Sequence, residues 1–149
     1  MDYNKLDASF LYYKDKILSM RVSMMEGGII YIAKPILVLA ILNCIDRNLI
    51  VENKIFYNKE LKETYKCFYQ IHKKYIQDVT PIWKPFFHLK NDNFYHLVSD
   101  KSFDIKTPSN KFIIENIKYA KFDDELWILL QNSGYREKLK EIIFNFYIK

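Results

Sequence analysis

Residues 34–45 read Lys34-Pro35-Ile36-Leu37-Val38-Leu39-Ala40-Ile41-Leu42-Asn43-Cys44-Ile45, and this stretch decides the fold. Proline suits the first position of a helix, because the N–H it lacks has no intrahelical partner there. Beyond Pro35 the segment is apolar on nearly every side, which marks a central, buried helix rather than a surface helix with one apolar stripe. The unbroken apolar run over 36–42 is far shorter than the roughly 20 residues needed to span a bilayer. Asp46-Arg47-Asn48 closes the helix, and the rest of the chain is expected to pack around it.

Upstream, Phe10, Tyr13, Ile17, Met20 and Met24 recur at spacings of three and four, which predicts a first helix over 6–23. Gly27-Gly28 breaks it, and 29–32 is a short β-prone stretch. Downstream, 49–57 reads as a strand or extended wing with a turn at Glu52-Asn53-Lys54. Asn58 then caps an amphipathic helix over 58–75, whose Leu61, Tyr65, Phe68, His72 and Tyr75 face the core. Pro81, Trp83 and Pro85 lead into an expected β-hairpin over 86–98 that turns at Asn91-Asp92-Asn93. A further strand is expected over 112–117. Asp123-Asp124-Glu125 opens a helix with negative charge at its N-terminus, and Asn132-Ser133-Gly134 separates it from a last helix over 135–147. Helices mixed with a small antiparallel sheet define a mostly helical α+β single domain over 1–149, with a winged helix as one arrangement that fits.

The 149 residues are 50% hydrophobic and 17% aromatic, too apolar for a disordered chain. A chain of this length buries roughly 70% of its unfolded surface. Cys44 and Cys67 each lie in an apolar stretch at no metal-ligand spacing, so both are expected as buried free thiols in a reducing compartment. The polar start Met1-Asp2-Tyr3-Asn4-Lys5 is no signal peptide. Together these readings predict a cytoplasmic protein with no membrane partner.

The formal net charge of +5 is unevenly distributed. Residues 1–53 and 91–149 each balance, so the excess sits in 54–90. There Lys54, Lys59, Lys62, Lys66, Lys73, Lys74, Lys84 and Lys90 face only Glu60, Glu63 and Asp78. On a helix, Lys59, Lys62, Lys66 and Lys73 fall within about 60° of arc. Localised positive charge suits a polyanionic partner, with an anionic membrane surface as the weaker option; the plainer alternative is an ordinary solvated helix face.

Catalytic patterns are scarce. His72 lies on an apolar helix face, and His88 and His96, neighbours across the expected hairpin, have no cysteine or carboxylate at ligand spacing. The acidic run 123–125 suits the helix dipole. Gly27-Gly28 is too short to cradle a phosphate. Neither a catalytic residue nor a metal nor a cofactor is therefore expected. Two places do suit an anion. Lys34-Pro35 puts an ammonium at a helix start, where the N–H groups and the lysine would act on the same phosphate. Trp83-Lys84-Pro85-Phe86-Phe87-His88 sets a proline ring between a cation and aromatics. A solvated lysine and a buried turn are the plainer readings of the two.

These two segments also carry a resemblance. Lys34-Pro35-Ile36-Leu37-Val38-Leu39-Ala40 is similar to the lysine–proline–leucine-rich helix start of the sulfur-recognition domain of phosphorothioate-dependent, HNH-type restriction endonucleases. Glu52-Asn53-Lys54-Ile55 and Pro85-Phe86-Phe87-His88-Leu89-Lys90-Asn91-Asp92-Asn93-Phe94-Tyr95-His96-Leu97 resemble that family's proline–aromatic hairpin. Ala120-Lys121-Phe122-Asp123-Asp124-Glu125-Leu126-Trp127 and the final helix ending Phe146-Tyr147 resemble its closing segment, so the likeness covers roughly residues 15–147. Ala33 stands where the family often has histidine, and Lys84 where it often has an aromatic residue.

The resemblance implies a module of restriction or phage defence that binds double-stranded DNA, phosphorothioated or unmodified. Sulfur is larger, softer and less hydrated than oxygen, so its reader pairs an apolar cup with cations. Here the cup would centre on Pro85, with Lys84, Phe86 and His88 beside it and Lys34 supporting the phosphate; Lys59, Lys62, Lys66 and Lys73 would add backbone contacts. The family's HNH nuclease domain has no counterpart in these residues, so cleavage is expected from a separate nuclease partner, and a homodimer is compatible with the reading. The alternative is a protein-interaction subunit of a defence complex that has lost DNA binding.

Overall fold

The computed structural model describes residues 3–24, 28, 30–74, 79–106 and 108–149. The apolar segment that opened the sequence reading forms α2 (Ala33–Asp46), buried from Pro35 to Leu42 and again at Cys44 and Ile45. Pro35 is the third helical residue rather than the first, still within the turn whose N–H groups lack intrahelical partners. Helix α3 (Lys59–His72) lies along α2, entered through Asn58, whose side chain accepts a hydrogen bond from the Leu61 N–H at 3.0 Å. It stops three residues short of the expected end, and Tyr75 lies outside the described residues. Its buried face is Leu61, Thr64, Tyr65 and Tyr69, while Phe68 and His72 are half-buried. The His72 ring meets Phe68 and Phe144 edge-on. Cys67 is exposed, against expectation, because it sits on the solvent side of this helix beside Lys66; Cys44 is buried as expected.

Helix α1 (Tyr3–Leu18) is shorter than predicted. The Ser19 and Met20 N–H groups bond back to Lys16 and Ile17 carbonyls and end it. Tyr13, Ile17 and Met20 are buried, whereas Met24 is exposed in a single bridge to Ile30. That bridge is all that the β-prone stretch 29–32 forms among the described residues; Gly27 lies outside them.

Two expected strands are helices. In place of a hairpin over 86–98 the chain makes α4 (Trp83–His88) and a 3₁₀ turn (Leu89–Asp92), then Asn93 at φ 65° in the left-handed region, and only then β1 (Tyr95–Val98). A strand would send Phe86 and Phe87 to opposite faces; the helical turn buries both. His88 is therefore no cross-strand neighbour of His96, which lies opposite Lys121. The segment expected as a strand over 112–117 is α5 (Asn110–Asn116), capped by the Ser109 hydroxyl accepting from the Phe112 N–H at 3.1 Å. It buries Ile113 and, one turn on, Ile117.

The partner of β1 is β2 (Tyr119–Phe122), antiparallel, with Tyr95 opposite Phe122 and Val98 opposite Tyr119. Helix α5 stands between the strands in sequence, so the pair is no hairpin wing and the winged-helix arrangement is not formed. The predicted wing over 49–57 contributes only Ile55, which exchanges both backbone bonds with Ala120. Beside it, the Asn53 side chain pairs with the Phe122 N–H and carbonyl as another strand residue would. The chain closes with α6 (Asp124–Leu130), α7 (Ser133–Ile143) capped by Asn132, and a π turn (Phe144–Ile148). Around the buried α2 this makes a mostly helical α+β fold, and no helix among the described residues is long and apolar enough to cross a membrane.

Candidate nucleic-acid interface

Two Lys-Pro pairs, fifty residues apart, occupy the same two places in their helices. Lys34-Pro35 are the second and third residues of α2, and Lys84-Pro85 the second and third of α4. The two helices pack together, and their first turns open into one cleft of about 500 Å³. Lys34, Lys84, Pro85 and His88 all line it, joined by Arg21, Ser23, Tyr31, Thr80 and Asn91. Pro85 is buried and contributes an apolar wall with Ala33 and Val22, while Lys84 and Arg21 are exposed. Thr80 is held at the wall by α3: its carbonyl accepts from the Tyr65 hydroxyl and its own hydroxyl pairs with that of Tyr69.

Lys34 is tied behind the cleft to a buried carboxylate. Asp92 accepts the Arg21 N–H on one oxygen and the Lys34 ammonium on the other, each at 2.7 Å. Both oxygens are thereby committed, and three separate segments of chain are fixed to one another. A buried pair of this kind is a structural tie, since removing one partner leaves the other charged and desolvated at a cost of about 3–5 kcal/mol. Lys34 is thus both a cation of the cleft and part of its scaffold. Half-buried His88 has its pKa pushed below the ordinary 6.5, first by burial and then by Lys34, Lys90 and Lys84. The imidazole is accordingly neutral at pH 7, and the cleft owes its positive charge to Arg21 and Lys84, with Lys34 balanced by Asp92.

The other expected site residues lie elsewhere. Phe86 is fully buried between the Tyr57 and Tyr95 rings, and its carbonyl accepts from the Tyr95 hydroxyl at 2.6 Å, so it is a core residue and no contact surface. None of Lys59, Lys62, Lys66 and Lys73 lines the cleft. Lys59 pairs with Glu63, Lys62 lies 4.1 Å from the Tyr57 ring centroid, and Lys66 borders a shallow groove along α3 with Cys67 and Ile71. Arg21, Tyr31, Thr80 and Asp92 were not singled out in the sequence. Extending α1 to residue 23 hid Arg21 inside a helix, and Asp92 read only as part of a polar turn.

On another face, Asp123 at the start of α6 makes no cap bond; its carboxylate instead accepts from the Tyr13 hydroxyl at 2.9 Å and pairs with His96 at 2.5 Å. Among the described residues no three metal-ligating side chains gather. No family model matches the chain, and no curated protein matches it.

Proposed function

We propose that this protein is a DNA-binding recognition module that seats a backbone phosphate, sulfur-modified or not, in the cleft between the first turns of α2 and α4. The observation that carries the reading is the meeting of Lys34, Lys84 and Arg21 beside the apolar wall of Pro85, with the buried Asp92 carboxylate already engaged. An exposed cation attracts a phosphate oxygen, and an apolar ring beside it suits the weakly hydrated sulfur of a phosphorothioate. A place in restriction or phage defence, with cleavage left to a nuclease partner, follows from the sequence resemblance.

The test is fluorescence anisotropy at fixed salt with one duplex, with and without a single phosphorothioate, followed by a salt series. Lys84→Ala and Arg21→Ala are the cleaner variants, because neither removes the Asp92 tie. Each is expected to weaken binding across sequences and to lower the log–log salt slope by about one. A preference for the sulfur duplex puts Pro85 at the centre of the site. Failure of the wild-type protein to bind either duplex, or binding indifferent to both variants, rules the reading out and favours a protein-interaction subunit.

A further inference from the structure

A second cleft, of about 430 Å³, adjoins the first. The two share Arg21 and Asn91 as lining residues, and Asp92, which lines the second, is ion-paired to Lys34 of the first. The second lies against the last turns of α1, from which it takes Tyr12, Asp15 and Lys16, with Ser19 just beyond the helix end. Lys16 is fixed at its rim: the ammonium donates to the Asn93 carbonyl at 3.0 Å and lies 4.9 Å from the Tyr12 ring centroid. That carbonyl is presented by the left-handed backbone at Asn93, which turns the chain directly after Asp92. Asp92 does not repel an anion from the second cleft, because the Lys34 ammonium neutralises its carboxylate and the Arg21 N–H occupies its other oxygen. Asp15 supplies the other negative charge of this cleft.

We infer that the second cleft takes the neighbouring phosphate of the same nucleic-acid strand, with Lys16 as its cation and Arg21 shared between the two phosphates. This rests on the reading of the first cleft as a phosphate site. A polymer of phosphates needs consecutive, contiguous cationic places, and Arg21 at the junction can reach either. The arrangement also assigns Asp15 an unfavourable role: its carboxylate opposes the second phosphate and limits affinity.

The experiment compares wild-type protein with Asp15→Asn and Lys16→Gln on one duplex, across a salt series, with thermal melts to confirm folding. Asp15 is exposed and its backbone bond to Ser19 survives the substitution, so the fold is retained. Asp15→Asn is expected to tighten binding several-fold, and Lys16→Gln to weaken it while lowering the salt slope by about one. If wild-type protein binds but Asp15→Asn gains no more than Asp104→Asn, the same loss of an exposed negative charge outside both clefts, the second site is wrong, even where Lys16→Gln weakens binding, since long-range electrostatics alone would move all three. In that case the first cleft stands by its own Lys84 test. Absence of wild-type binding overturns both.

Discussion

His88 sits half-buried in a cleft facing Lys34, Lys84, Lys90 and Arg21, with Asp92 already bound to Lys34. Its pKa is depressed by burial and by the three lysines, so two opposite pH dependences follow. A phosphate entering the cleft changes the local sign and favours the imidazolium; binding therefore takes up a proton, and affinity should rise as pH falls from 7 toward 6. Isotherms at several pH values should show this slope in the wild type and lose it in His88→Gln. For the free protein the sign reverses. The unfolded chain, with an ordinary histidine, binds protons that the folded His88 refuses, so stability is lost as pH drops below about 6.5. Denaturant melts at pH 7 and pH 5.5 should show His88→Gln losing less than the wild type over that interval. At this scale the sequence was partly legible. Lys34 and Lys84 stood out because a lysine beside a proline at a helix start is a readable local pattern. Arg21 and Asp92 act through a contact 71 residues apart in sequence, and nothing local announces it.

The longer capped helices α3 and α7 were the elements most open to prediction, because a cap followed by helical periodicity is written in adjacent residues; the short α5, capped by Ser109, was not. Asn58 and Asn132 each accept an N–H three residues on; the α3 start lies where the sequence placed it, whereas α7 begins at Ser133, two residues before the expected start and within the expected break. Removing the first of these caps, Asn58→Ala, is expected to cost about 1 kcal/mol in chemical denaturation, with α3 the region of faster hydrogen exchange. The misread elements are short and aromatic or β-branched. Phe86-Phe87 and Ile113-Ile114 have strand propensity, yet a four-residue strand contributes little unless a neighbour offers a free edge. β2 pairs with β1 on one side and with Ile55 on the other, and a strand over 86–89 would have stranded one of two phenylalanines that the core needs. Strand β2 itself was missed because its partner lies 27 residues upstream (Tyr95 against Phe122) and no turn joins them. The site depends on the same misreading, since only a helical turn at 83–88 gives Lys84-Pro85 the same position in its element as Lys34-Pro35.

At the scale of the molecule, the composition foretold a single packed core around α2, and the buried residues form one such cluster. The order in which the other elements close around it was not visible, because long-range contacts leave no local trace. The clearest of these joins the two ends of the fold. Asp7 and Phe10 of α1 meet Tyr135 at the start of α7, and Ile17 at the other end of α1 accepts the buried Tyr147 hydroxyl at 2.6 Å. The two helices thus run side by side in the same direction. Tyr147→Phe keeps the ring packing and loses only this bond, and should cost about 1 kcal/mol in a two-state melt. If the midpoint does not move, the bond has no net weight.

The same contact spans 130 residues, nearly the whole length described. On the ribosome, α1 emerges before α6 and α7, and the Asp123 and Tyr147 partners of Tyr13 and Ile17 follow only 110 and 130 residues later. At about 5–20 residues per second that interval is on the order of ten seconds, during which a nascent helix with an uncovered apolar stripe is offered to whatever chaperone waits at the exit tunnel.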